Sequence, residues 1–414
     1  MINNLEPFSL KRFSPSPVFI EHDGWEIGNE IITALVKNYN SYINPDYFNL
    51  HDSSNTVPEN RTLGDFISIG GCREDIYSIK KPDINNILEK GKVPVTSVSS
   101  DYRESIKNEF EKAILVLILP ALGEEDTGMD KEYLNKFDIV IHTDTEEKIE
   151  SILQKLDSTL QAYLSTSHFF PLPRVINDTN TIGYGKVAAE FSEEKRITTK
   201  NFHDLSNTFF QNAIDNYVKN GTKCLEIGPG QGWLKKNFVW PEISYTAVDI
   251  SSEMLEYVES DKKINSSINA LAIADREFDV IFSSLGDPFC FPTALCEIRR
   301  VLKEDGVFVF SAPSHSWIES IRQANSKYKT QFVLESSEIA EVYSFTFSID
   351  TLAELFRLCG LEPIMCQVAF GRDLPSVPYV VSPAFNKAAD ALGCNIGDLP
   401  VVNMIVARKI PYGL

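Results

Sequence analysis

Two α/β domains, each built on a mostly parallel sheet, are what this sequence predicts, and three observations predict them. The chain has 414 residues, well beyond the ~150 that one domain ordinarily needs. Short apolar runs alternate with amphipathic helical patterns in two separate stretches, which is how strands joined by crossover helices read. Between Ser165 and Lys200 that alternation stops, in a segment holding Pro171, Pro173, Gly183 and Gly185. The boundary therefore falls near residue 175: one domain over 1–175, a linker or an arm reaching over a neighbouring site at 176–200, and a second domain over 201–414.

In the first domain, Pro17 to Glu21, Val93 to Ser97, Ala113 to Leu119 and Phe137 to His142 are apolar runs of strand length. Glu146 to Leu164 places Ile149, Ile152, Leu153, Leu156 and Leu160 on one helical face. The second domain begins with a helix from Asp204 to Asn220 and a strand from Lys223 to Ile227, followed by a Gly-rich turn and a helix from Gly232 to Asn237. A strand at Ser244 to Asp249 and a helix at Ser252 to Glu259 come next. Strand Phe278 to Ser283, helix Pro292 to Leu302 and strand Gly306 to Ala312 continue the series. Helix Ile349 to Leu358 and a strand near Val401 to Ala407 complete a doubly wound sheet.

Composition excludes several classes. No apolar run reaches the ~18 residues of a membrane span, and Met1 to Arg12 lacks a signal-peptide centre; the expectation is a cytoplasmic protein with no membrane partner. The seven cysteines stand singly and the six histidines are dispersed, so neither a disulfide framework nor a metal site is expected. A net charge of −19 opposes a phosphate backbone, whose binding needs Lys and Arg, so no nucleic acid is expected as partner. A small-molecule or saccharide acceptor fits better, and a homodimer remains open.

The run Cys224-Leu-Glu-Ile-Gly-Pro-Gly-Gln-Gly232 carries the chemistry. Glu226 ends an apolar strand, and Gly228, Gly230 and Gly232, with Pro229 between the first two, supply a turn whose backbone can lie against a ligand. Roughly 20 residues on, the strand ending in Asp249 brings a second carboxylate to the same edge of the sheet, with Ile250 beside it and Met254 in the helix that follows. Two further runs, Leu271 to Phe282 and Glu297 to Gly306, fall in order behind them.

These four features resemble the class I S-adenosylmethionine-dependent methyltransferases, a Rossmann-like family. The resemblance implies that S-adenosylmethionine is bound, leaving S-adenosylhomocysteine as product. Glu226 would meet its amino-acid portion, Asp249 both ribose hydroxyls and Ile250 the adenine, with Met254 and Ser283 also at the cofactor. The family often has an Asp contacting the adenine amino group just before residue 271. Here the neighbourhood offers Ser266, Ser267 and Asn269 instead.

Methyl transfer asks a protein to align two reactants and exclude water, and a hydroxyl acceptor also needs a general base. Asp287, in Ser284-Leu-Gly-Asp-Pro-Phe289, and His315, in Pro313-Ser-His-Ser-Trp317, are the candidates in the loops beyond the fourth and fifth strands. Trp317 is a candidate acceptor-pocket wall, beside the alternative of a core aromatic.

In the first domain, Glu89 to Arg103, Asp126 to Tyr133 and Asp138 to Asp144 resemble passages of adenylylsulfate (APS) kinase, a P-loop nucleotide kinase, and Leu63-Gly and Arg73 to Ile76 add shorter echoes. The resemblance implies a P-loop-kinase-like parallel sheet, with Tyr102 and Arg103 in a motif that contacts substrate. The phosphate-loop place reads His22-Asp-Gly-Trp-Glu-Ile-Gly-Asn-Glu30. Asn29 stands where the phosphate-binding Lys belongs and Glu30 where a Mg²⁺-holding hydroxyl belongs, so kinase activity is not expected. Three readings follow: a methyltransferase acting on a small molecule or saccharide in a modification or biosynthetic pathway, a bifunctional enzyme that phosphorylates and methylates one acceptor, or a cofactor-binding structural or regulatory protein.

Overall fold

A computed structural model describes residues 15–22, 25–39, 41–45, 47–49, 66–72, 75–119, 131–143, 149–167, 169–193, 195–269, 271, 273–322, 328–375 and 380–410. The chain divides between Arg174 and Val175 into two compact units.

The N-terminal unit centres on β1 (Val18–His22), with β2 (Tyr42–Ile43) farther along the chain. Between β2 and the next sheet strand lies a small antiparallel sheet of β3 (Tyr47–Asn49), β4 (Phe66–Cys72) and β5 (Asp75–Lys80), in the order β3-β5-β4, which the sequence reading leaves out. β6 (Val93–Ser97), β7 (Ile114–Leu119) and β8 (Ile139–His142) complete a parallel sheet of order β2-β6-β1-β7-β8. Its helices are α1 (Trp25–Asn38), α2 (Lys81–Glu89), α3 (Arg103–Glu109), the single turn α4 (Lys131–Leu134) and α5 (Ile149–Leu164). Ile31, Ile32 and Leu35 of α1 join Ile152, Leu156 and Leu160 of α5 in one core with Val18 and Val116 of the sheet. Strands this apolar are buried on both faces, as a parallel sheet requires.

The C-terminal unit opens with α6 (Pro173–Val187) and α7 (Ile197–Tyr217). α6 occupies the segment that composition suggests is a linker or arm. Pro173 sits in its first turn, where a missing N–H costs nothing. Gly183 lets a later strand pass: a Cβ there would lie 2.3 Å from the Glu341 carbonyl oxygen. Tertiary packing thus overrides weak helix propensity.

The sheet strands are β9 (Lys223–Ile227), β10 (Ser244–Asp249), β11 (Lys262–Asn265), β12 (Phe278–Ser283) and β13 (Leu302–Pro313). A hairpin of β14 (Lys329–Val333) and β15 (Ile339–Tyr343) stands apart from the sheet, which ends with β16 (Leu361–Phe370) and β17 (Pro400–Lys409). The order is β11-β10-β9-β12-β13-β17-β16, with β17 antiparallel to both neighbours. Helices α8 (Trp233–Asn237), α9 (Ser252–Glu256), α10 (Pro292–Val301), α11 (His315–Ile321), α12 (Ile349–Leu358) and α13 (Pro383–Leu392) complete the unit. β16 and α13 are absent from the sequence reading. Pro363 shows why the first is hard to see: it lies in an edge strand at a register shift between Pro363 and Met365, where a lost donor is tolerated.

β9 lies at the switch point, with β10 on one side and β12 on the other. In open α/β sheets the ligand crevice forms beyond the strand ends at that point.

Candidate active site

A cavity of about 260 Å³ lies at the ends of β9 and β10. Its floor is Glu226, Gly228, Pro229, Gly230, Asp249, Ile250 and Met254, and Ser267 lies to one side. The glycine loop takes the backbone that its residue type permits. Gly228, Gly230 and Gly232 have φ of +63°, +54° and +79°, values that cost other residues about 1–3 kcal/mol. A Cβ at Gly228 would stand 2.4 Å from the Phe289 ring, so that position is closed to larger residues on two counts.

Glu226 is 1% exposed and accepts a short hydrogen bond from the Tyr245 hydroxyl. Burial pushes its carboxyl up to about 7, the nearby Asp249 charge adds to the rise, and Tyr245 and Lys235 oppose it. Asp249 Oδ1 accepts from the Ser251 amide at 2.8 Å. The Ser267 hydroxyl meets the side-chain oxygens of Asn177, at 2.8 Å, and of Asn269. Asn177 Nδ2 is buried with no hydrogen-bond partner among the described residues, a donor that a ligand in the cavity would satisfy.

Other expected cofactor residues lie behind the wall. The Ser283 hydroxyl donates to the Ile227 carbonyl at 3.1 Å and ties β12 to β9. Gly232 caps α8, and Asn269 reaches the cavity only through Ser267.

The two expected bases fall outside the cavity lining. His315 Nδ1 is 3.1 Å from the Thr346 carbonyl oxygen. Asp287 is raised to about 6 by burial, against a hydrogen bond from the Ser344 hydroxyl at 2.5 Å. Trp317 is 2% exposed and packs edge-on to Phe202 at 4.8 Å, so it is a core aromatic. Tyr102 ends a single 3-10 turn before α3. Arg103 is buried and forks both oxygens of Glu21, at 2.7 Å, while the Tyr133 hydroxyl donates to the same carboxylate at 2.6 Å. Its guanidinium lies 4.6 Å from the Phe137 ring centre and is paired inside the unit, where the resemblance implies a substrate contact. Asp23, Gly24 and the side chains up to Asn29 lie outside the described residues, as do Leu63, Arg73, 120–130 and Asp144.

The roof comes from the segment expected as a linker or an arm over a neighbouring site, though none of its residues is singled out in the sequence. Asn177, Asn180 and Tyr184 of α6, and Phe191, Glu193 and His203 beyond it, line the cavity. Their one signal is spacing, since 177, 180 and 184 share a helical face, but that pattern is polar and does not stand out as a helix.

The carboxylate pair, the glycine loop and the orphaned donor fit a ligand with a cationic group, vicinal hydroxyls and a polar ring edge. Lowering pH should therefore weaken such a ligand. A bound ammonium favours charged Glu226, so its carboxyl falls below 7 in the complex and binding releases a proton at lower pH. Affinity for S-adenosylmethionine is expected to fall by up to about tenfold per unit below pH 7 and to level off above it. Calorimetry between about pH 5.5 and 8 checks this, and Glu226→Gln should flatten the slope.

Residues 225–310 match the family model described as a methyltransferase domain. The chain is 30% identical over 169 residues to a malonyl-[acyl-carrier protein] O-methyltransferase of Buchnera aphidicola, covering 38% of this chain and 64% of that protein. It is 32% identical over 179 residues to the enzyme of the same name from Erwinia pyrifoliae, covering 42% of this chain and 60% of that one. The chain thus spans less than two thirds of the length of these curated relatives. Among solved structures, the DhpI-SAM-HEP complex aligns over 55% of this chain and 94% of that one at 14% identity and a TM-score of 0.40. The C-terminal unit therefore contains, over residues 225–310, a methyltransferase domain.

Proposed function

We propose that this chain transfers a methyl group from S-adenosylmethionine to an oxygen of a small molecule, saccharide or carrier-bound acyl group, in a modification or biosynthetic pathway. The observation that carries the reading is the single cavity in which the glycine loop, Glu226 and Asp249 meet under a roof of α6. Names of the relatives supply the oxygen, since those enzymes are O-methyltransferases. When bound, the cofactor supplies an electrophilic methyl group on a sulfonium. Glu226 holds its amino-acid portion, Asp249 the ribose hydroxyls, and Ile250, Met254, Ser267 and Asn177 the adenine side. Phe191 and Tyr184 close over the glycine loop and exclude water, which sharpens every electrostatic contact inside.

The N-terminal unit is read as a kinase-shaped scaffold for recognition or assembly. Its parallel order, with β1 central and β2 outside β6, supports that shape, and Asn29 and Glu30 in the phosphate-loop place count against phosphoryl transfer.

The test is calorimetric titration of the full chain with S-adenosylmethionine and separately with ATP and Mg²⁺, followed by transfer of a tritiated methyl group into the small-molecule fraction of a cell extract. Binding of the first alone, with label transferred, is expected. Tight ATP binding would restore the bifunctional reading, and cofactor binding without transfer would favour a regulatory protein.

A further inference from the structure

The cavity is lined by a histidine to which the cofactor contacts proposed above give no role. His203 of α7 lies flat against Trp233, with ring centres 4.1 Å apart and planes at 13°. It is 7% exposed and lines the cavity. Its Nδ1 stands 2.6 Å from Glu193 Oε1. A carboxylate only accepts, so the proton of the neutral ring sits on Nδ1 and the lone pair on Nε2. Nε2 has no hydrogen-bond partner among the described residues and is not sealed in the core.

Burial, against the net pull of the surrounding charges, holds the ring below its ordinary pKa, with Glu193 and Asp204 opposing and Lys200 reinforcing the fall. Lys200 is itself paired to Asp204 at 2.5 Å. Among the described residues no other titratable group acts on it.

We propose that His203, oriented by Glu193, is the catalytic base of this domain and that the acceptor is a neutral hydroxyl, an alcohol or phenol. The inference rests on the methyl-transfer reading above and narrows its acceptor. A lone pair of the acceptor oxygen forms the new bond to the methyl carbon as the carbon–sulfur bond breaks, its electron pair staying on sulfur. The hydroxyl proton passes to Nε2, and the imidazolium, stabilised by Glu193, releases it to water. The arrangement of carboxylate, imidazole and protic nucleophile is the general one for activating a hydroxyl.

Charge disfavours the other acceptor class. A carboxylate is already an anion and needs no base. The one Lys or Arg among the described residues lining the cavity is Lys236, whose exposed ammonium is held by the Gln231 carbonyl oxygen at 2.6 Å.

The experiment uses the full chain, tritiated-methyl S-adenosylmethionine and the small-molecule fraction of a cell extract. Labelled product is treated with mild alkali, which frees volatile methanol from a methyl ester and leaves a methyl ether intact. Retained label is expected. His203→Gln should lower kcat by roughly 10²–10⁴-fold and remove the ascending limb of the pH profile. Its affinity for S-adenosylhomocysteine should stay within about threefold of the parent, under 1 kcal/mol. Nitrogen NMR of the parent should show a bare Nε2 at neutral pH. Volatile label, an Nε2–H tautomer, an unchanged pH profile in His203→Gln, or product affinity lost together with turnover would each overturn the proposal. A parent that binds cofactor yet transfers nothing defeats the methyl-transfer reading itself, and this one with it.

Discussion

Asp249→Ala is expected to abolish measurable S-adenosylmethionine binding while leaving the fold intact. Asp249 is 8% exposed at the tip of β10 and faces the cavity, where its carboxylate is placed to accept two ribose hydroxyls. Hydrogen bonds to a charged acceptor contribute about 1.5–3 kcal/mol each, so losing both weakens binding by roughly 10²–10⁴-fold. Local hydrogen bonds also meet it: the Ser251 amide reaches its side chain, and the Ser266 amide and the Asn265 side-chain amide reach its backbone carbonyl, which no substitution removes. Calorimetry should show the loss with an unchanged circular dichroism spectrum. An affinity within tenfold of the parent would mean that the ribose is held elsewhere.

Arg300→Leu should cost stability on a comparable scale. Arg300 is 4% exposed on α10. It forks Glu297 at 2.7 and 2.8 Å, reaches Asp275 at 2.8 Å, and donates to the carbonyls of Ile273 at 2.7 Å and Leu271 at 3.0 Å. Glu297 in turn accepts from the Leu271 amide at 3.2 Å. Removing the cation takes the counter-charge from the Glu297 and Asp275 carboxylates and a donor from the Ile273 carbonyl, while the Leu271 carbonyl keeps the Ile273 amide at 2.8 Å, a loss of about 3–5 kcal/mol. Urea unfolding should report it as a lower midpoint with an unchanged slope. Double replacement of Arg300 and Glu297 by apolar residues should recover part of the loss.

That network explains a feature of the sequence. The runs Leu271 to Phe282 and Glu297 to Gly306 look like separate family passages, yet the side chains of the second hold the backbone of the first. Strand runs such as 223–227, 244–249 and 278–283 were legible to the residue, because parallel strands buried on both faces read as continuous apolar runs. So was the floor of the cavity, where loop geometry demands glycine and sheet order fixes the two acids. The roof was not. α6 carries glycines and asparagines that look like a break, and its helix depends on Gly183 meeting β15 and on the Asn180 side chain accepting from the Tyr343 amide at 2.7 Å. His203 stayed hidden because nothing local distinguishes it. Its meaning comes from Glu193 and Trp233, and Trp233 is brought to it only by folding.

The separation of floor and roof has an evolutionary consequence. The floor is written into strand ends and glycines, where most changes disturb the sheet. The roof comes from α6 and from Phe191, Glu193 and His203 after it, a short stretch of the chain outside the sheet. Drift or selection acting on that stretch could exchange one acceptor for another without rebuilding the cofactor seat, so closely similar floors are poor guides to what related chains methylate.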